Sequence, residues 1–117
     1  MSIVEILWGN KNTTLMQILT ILVVLDYMTG VCIAIRMRKL SSTIGFRGIS
    51  TKVLIYVILS ICNIMDNFIL KDGISIQSVA VLFYCTNEII SILENTAKAG
   101  VPLPQKLKDI LENLKSS

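Results

Sequence analysis

Residues 14–35 read TLMQILTILVVLDYMTGVCIAI, twenty-two positions with a single charge, Asp26. An α-helix rises about 1.5 Å per residue, so this run is long enough to cross a hydrocarbon core of about 30 Å. Two further apolar blocks follow it. Residues 53–70 carry Asp66 and the amides Asn63 and Asn67, and residues 74–93 carry Asn87 and Glu88. Their uncharged runs fall short of about 18 residues. Length alone therefore does not separate three membrane crossings from three buried helices of a soluble bundle.

The placement of cations separates them. Lys11 precedes the first block; Arg36, Arg38, Lys39, Arg47 and Lys52 lie between the first and second. Lys71 lies between the second and third, and Lys98, Lys106, Lys108 and Lys115 follow. Three crossings gather nine of these eleven cations on one side. The side rich in Lys and Arg is cytoplasmic, which puts the N-terminus outside and the C-terminus inside. A soluble bundle has no reason to sort its charges by alternate connections. The sequence thus reads as an all-α membrane protein, a single domain over 1–117. Transmembrane helices are expected at about 14–35, 53–70 and 74–93, with a basic loop at 36–52 and an amphipathic tail at about 103–115. The first block is too long for a signal-peptide core, contains Asp26 and lacks a small-x-small cleavage site, so it is expected to remain as an anchor.

The connections carry their own signals. Ser2-Ile3-Val4-Glu5 is a capping box, followed by Ile6, Leu7 and Trp8 and ended by Gly9-Asn10, which predicts a short interfacial helix. In the basic loop, Ser41, Ser42, Gly45 and Gly48 favour turns, and Ser50 or Thr51 is expected to cap the second crossing. Arg36, Arg38, Lys39, Arg47 and Lys52 are expected to meet anionic lipid headgroups, at about 1 kcal/mol each. The brevity of Lys71-Asp72-Gly73 predicts that the second and third crossings pack as an antiparallel pair. After Gly100 and Pro102, a helix opening near Pro104 places Leu107, Ile110, Leu111 and Leu114 on one face, suited to the inner leaflet or a neighbour.

Ionisable groups at mid-helix in a bilayer cost at least about 2.5 kcal/mol each. Asp26, Asp66 and Glu88 supply one per crossing. Asp26, Gly30 and Ala34 follow at four-residue spacing, and Gly30-x-x-x-Ala34 is a small-xxx-small pattern that admits a close backbone. Tyr56, Asn63 and Asp66 share one arc of the second crossing; Asn87, Glu88, Ser91, Glu94 and Asn95 share one of the third. The stripes either hydrogen-bond within one three-helix unit or face other copies of the chain or water between copies; three helices have little interior to hide them, so the second is expected. Asp26 should lie near mid-membrane, Asp66 towards the outside and Glu88 towards the cytoplasm, so that they do not converge within one chain.

Other chemistry is unsupported. There is no histidine, and Cys32, Cys62 and Cys85 are far apart with no C-x-x-C pair, so no metal or cofactor is expected. No serine has a base for nucleophilic catalysis, and an enzyme is not expected. The net charge of +3 follows from topology and needs no nucleic acid.

Three stretches carry a resemblance to a known family: Asp26-x-x-x-Gly30 with the cations that follow it; Ser41-Ser42-x-x-Gly45-x-x-Gly48-x-x-x-Lys52; and Asn87-Glu88-x-x-Ser91-Ile92-x-Glu94-Asn95 leading into Gly100-Val101-Pro102-Leu103-Pro104. From about Leu25 to Leu114 the sequence resembles the toxin-secretion/phage-lysis holin family, found in phages of Gram-positive bacteria and beside clostridial toxin genes. The resemblance implies a homo-oligomer of the bacterial cytoplasmic membrane that opens lesions for an endolysin or a toxin. It carries no catalytic residues. Three rivals share these features: an antiholin-type regulator that binds holin, for which Met16 is a candidate second start; a small ion-conducting channel or transporter subunit; and a membrane scaffold.

Overall fold

The computed structural model describes residues 2–38, 42–70 and 73–116, with side chains in the second stretch from residue 45. Every regular element is helical: α1 (Ile3–Trp8), α2 (Thr13–Arg36), α3 (Ser42–Met65, continued by a π-helical turn Asp66–Leu70), α4 (Ile76–Lys98) and α5 (Gln105–Ser116). The sequence expectations on Lys39, Ser41, Lys71 and Asp72 lie outside the described residues.

Three spans are long and apolar enough to cross a membrane: Thr13–Arg36, Gly45–Leu70 and Ile76–Lys98. Only 11 to 22% of their most apolar windows is buried within the chain. Ile21, Met28, Val57, Ile61, Leu82 and Phe83 all point outwards. In water such a surface would be a severe liability; against acyl chains it is the matching solvent. The molecule is correspondingly open, with a radius of gyration of 16.4 Å against roughly 13 Å for a compact globular chain of this length.

Side-chain pairings fix the helix directions. Asn12 meets Ser75, Gln77 and Ser78, Asn95 meets Asp26 and Thr29, and Arg36 reaches the Ala99 carbonyl. The partners ascend together, so α2 and α4 run parallel. Against α3 they descend: Thr20 meets Tyr56 and Asp26 meets Lys52, while Gln77 meets Leu59 and Glu88 meets Lys52. The antiparallel α3–α4 contact expected from the short connection exists, but the parallel α2–α4 contact is the most extensive in the molecule. Polar pairs at both ends and the middle of α2 and α4 hold them together along their whole length, whereas chain connectivity holds α3 and α4 only at one end. Met16, Leu19, Leu59, Val81 and Cys85 form the small apolar core between the helices.

Two sequence expectations are corrected. Residues 42–52 are not a loop: α3 starts at Ser42, and Gly45 and Gly48 lie inside it. Ser50 and Thr51 do not cap it but bond the carbonyls of Phe46 and Arg47, four residues back. Each glycine lowers helix propensity by about 1 kcal/mol. Near a bilayer, continued helix satisfies every backbone group, and that outweighs the propensity.

Candidate functional site

Asp26, Lys52 and Glu88 each lie ten residues from the same end of the bundle, counting 26 to 36 on α2, 42 to 52 on α3 and 88 to 98 on α4. Ten residues of helix span about 15 Å, half of a hydrocarbon core. The three side chains meet there. Lys52 Nζ donates to Asp26 Oδ2 at 2.7 Å and to Glu88 Oε1 and Oε2 at 2.6 and 2.8 Å. Asn95 Nδ2 donates to Asp26 Oδ1 at 3.3 Å and to Thr29 Oγ1 at 3.1 Å. Asp26 and Glu88 are 8% and 2% exposed, while the Lys52 side chain retains 23%. Lys52 therefore forms the open side of the triad. Its formal charge is −1, one carboxylate beyond what the single ammonium neutralises.

This arrangement overturns the expectation that Asp26 and Glu88 stay apart within one chain; Asp66 remains apart from both, at the start of α4. Glu88 lies at mid-helix because α4 runs on to Lys98, and Lys52 lies inside a span apolar enough to cross a membrane because α3 begins ten residues before it. Lys52, expected at lipid headgroups, is instead committed to carboxylates. The shared ten-residue offset was the signal in the sequence. It is invisible while the second crossing is taken to begin after Lys52.

A second polar cluster closes the other end. Asp66 accepts from the backbone N–H groups of Ile76 and Gln77 at 2.8 and 3.0 Å, and from Ser75 Oγ at 3.0 Å. With Ser75, whose hydroxyl accepts from Ser78 N–H at 3.1 Å, it caps α4. A carboxylate there also complements the positive end of the helix dipole. Asn63 donates to the carbonyls of Glu5 and Ile6, and the fully buried Gln77 donates to those of Trp8 and Leu59 at 3.1 and 3.2 Å. Asn67 Nδ2 donates to the Asn63 carbonyl, where α3 gives way to its π-turn. These amides tie α1 across the bundle end, and Trp8 stacks on Tyr56 with ring centroids 5.9 Å apart. Ser2 Oγ accepts from Glu5 N–H at 3.2 Å, the cap expected of α1. Gln77 escaped the sequence reading, since a glutamine in a first helical turn carries no signal.

Six residues expected to face other copies are thus committed inside one chain: Asp26, Tyr56, Asn63, Asp66, Glu88 and Asn95. Tyr56 shares a 2.7 Å hydrogen bond with Thr20 as well as its stack on Trp8. Among the described residues no buried side-chain nitrogen or oxygen lacks a partner. A lone protomer does satisfy most of its polar faces, contrary to expectation, because the three stripes converge rather than diverge. Gly30 and Ala34 are half-buried, and a Cβ on Gly30 would lie 3.9 Å from Asn95 Nδ2, so this small face is turned to α4.

What stays at the surface is narrower. Asn87 is exposed, Ser91 is half-buried, and Glu94 meets Lys115 of α5 at 3.9 Å. Asn87 and Ser91 line a cleft of about 390 Å³ between α3 and α4, with Lys52 and Glu88 at its base. Arg38 and Arg47 are exposed near the same bundle end, and Arg36 donates to the Ala99 carbonyl beyond α4.

These features define a multi-pass helical membrane protein whose buried charges meet one another. The sequence matches the bacteriophage holin family over residues 2–116. An uncharacterised protein of Halalkalibacterium halodurans is 40% identical over 116 residues, covering 96% of this chain and 85% of its own length. An uncharacterised 14.9 kDa protein from the nagH 3′ region of Clostridium perfringens is 42% identical over 96 residues, covering 82% and 73%. A probable holin of Bacillus phage phi105 is 31% identical over 101 residues, covering 86% and 74%. No solved structure matches it. The chain belongs to the bacteriophage holin family, whose members are membrane proteins without enzymatic activity.

Proposed function

We propose that this chain is a holin that accumulates in the bacterial cytoplasmic membrane and assembles there into lesions through which an endolysin or toxin leaves the cell. The observation that carries this reading is the family match over residues 2–116, on a chain whose three spanning helices turn most of their surface outwards. Asn87, Ser91 and Glu94 supply the polar rim through which copies meet, since an amide at membrane depth seeks a hydrogen-bonding partner. The cation distribution supports an N-terminus on the outside. Arg38, Lys39 and Arg47 then join the lysines of α5 at the inner leaflet, where anionic lipid attracts them. The test is co-expression with an endolysin that has no export signal of its own. Cell lysis with enzyme in the medium is expected; full accumulation in the membrane with the enzyme retained inside would refute the reading. The mid-membrane triad favours one second reading, a small ion-conducting subunit. That protein would depolarise cells and release no folded enzyme in the same experiment.

A further inference from the structure

We infer that the Asp26–Lys52–Glu88 triad is a clasp that keeps the single protomer closed, and that its release sets the membrane density at which copies begin to assemble. The inference rests on the holin reading and concerns its regulation.

Helix α3 is the weakly held member of the bundle. Its outer half is fastened several times over: Tyr56 to Thr20, Leu59 in the core, Asn63 to α1 and Asp66 to the start of α4. Its first half is different. Phe46, Ile49, Val53 and Leu54 point outwards, and Ser50 and Thr51 bond only their own helix. Among the described residues from Gly45 to Leu54, Lys52 alone has a hydrogen bond to another helix, and it bonds both α2 and α4. Beside it lies the cleft between α3 and α4, so the α4-facing side of this half of α3 is not filled by packed side chains.

The electrostatics make the clasp two-state. Closed, the one ammonium pairs with both carboxylates, leaving a single formal negative charge, and the protomer presents apolar surface to lipid. Open, Asp26 and Glu88 lose their counter-charge in a medium that cannot solvate them, which strongly disfavours that state in an isolated copy. An assembly that admits water removes the penalty. The closed state therefore weakens apparent self-association by the fraction of protomers that are open.

The experiment measures the amount of membrane-bound protein at the onset of endolysin release for the full-length chain and its variants. Lys52→Met removes the clasp and is expected to bring onset at an amount at least about twofold lower, because more protomers are assembly-competent. Lys52→Arg keeps both carboxylates paired and is expected to stay near wild type. The exchanged pair Lys52→Glu with Glu88→Lys rebuilds a cation between two helices and is expected to return onset to the wild-type amount. Onset of Lys52→Met at or above the wild-type amount would overturn the clasp. If Lys52→Met fails to accumulate, the exchanged pair decides: wild-type onset supports the clasp, and early onset or none overturns it. Failure of the wild-type chain to release enzyme would instead refute the holin reading.

Discussion

Asp66 and Gln77 join two helices end to side: the Asp66 carboxylate at the end of α3 accepts the Gln77 backbone N–H at 3.0 Å, in the first turn of α4. The same carboxylate holds Ile76 N–H and the Ser75 hydroxyl, so one residue satisfies donors that α4 cannot satisfy itself. Removing it should loosen the start of α4. Asp66→Ala is expected to lower stability by about 1–2 kcal/mol, the range for a lost helix cap. Reversible unfolding in mixed micelles reads this, and an unchanged midpoint would contradict the assignment.

The α1 end of the bundle also depends on a glycine. Gly9 has φ +88°, and a Cβ there would lie 2.7 Å from Gln77 Oε1 and 3.1 Å from Asn63 Oδ1. Gly9 has ψ 149°, in a positive-φ extended region that side chains rarely adopt, so Gly9→Ala combines backbone strain of about 1–3 kcal/mol with this clash. It is expected to lift α1 off the bundle and break the stack of Trp8 on Tyr56. Trp8 is the single tryptophan, so its emission reports the event directly. A shift towards the solvated or lipid-exposed spectrum is expected, and an unaltered spectrum would count against α1 docking.

At the triad, single changes and paired changes should differ sharply. Lys52→Met leaves two buried carboxylates without a counter-ion, and losses of about 3–5 kcal/mol accompany that kind of change. Combining it with Asp26→Asn and Glu88→Gln removes the stranded charges, so the triple variant should be more stable than Lys52→Met alone. Unfolding midpoints of the wild type, Lys52→Met, the Asp26→Asn/Glu88→Gln double variant and the triple variant test this. Additive losses would mean that the three groups do not act as a unit.

Asn87 should behave in the opposite way. It is exposed and bonds nothing else within the described chain. Asn87→Leu is expected to leave the unfolding midpoint within about 0.5 kcal/mol, as surface changes do. It should weaken assembly, by about 0.6–2 kcal/mol per interhelical contact. Cross-linking in membranes across a range of expression levels measures the difference. Equal oligomer yields would move the contact elsewhere.

The sequence made the spanning helices legible because uncharged runs and sorted cations are one-dimensional signals. The cap at Ser2 and the break around Gly100 and Pro102 were legible for the same reason, since both act over a few residues. The triad was not, because its meaning lies in the level that each residue occupies once helices are aligned. Placing the start of the second crossing at residue 53 rather than 42 moved Lys52 from the bundle to the lipid surface in the reading. It also left Asp26 and Glu88 without their shared partner. The cluster at the α1 end was half legible: Asp66 and Asn63 stood out as polar residues in apolar runs, but Gln77 and Asn12 resembled ordinary residues at helix starts. Their roles follow from the parallel pairing of α2 and α4, which no local pattern encodes.

Three crossings with both basic segments on one side form the frame on which every other statement stands. Cys32, Cys62 and Cys85 can be replaced by alanine, and single cysteines introduced at Asn10, Arg38, Gly73 and Ser116, for labelling with a membrane-impermeant maleimide in intact cells. Positions 10 and 73 are expected to label from outside, and positions 38 and 116 only after the inner membrane is permeabilised. Labelling of 38 and 116 from opposite sides, or of all four from one, would contradict the account.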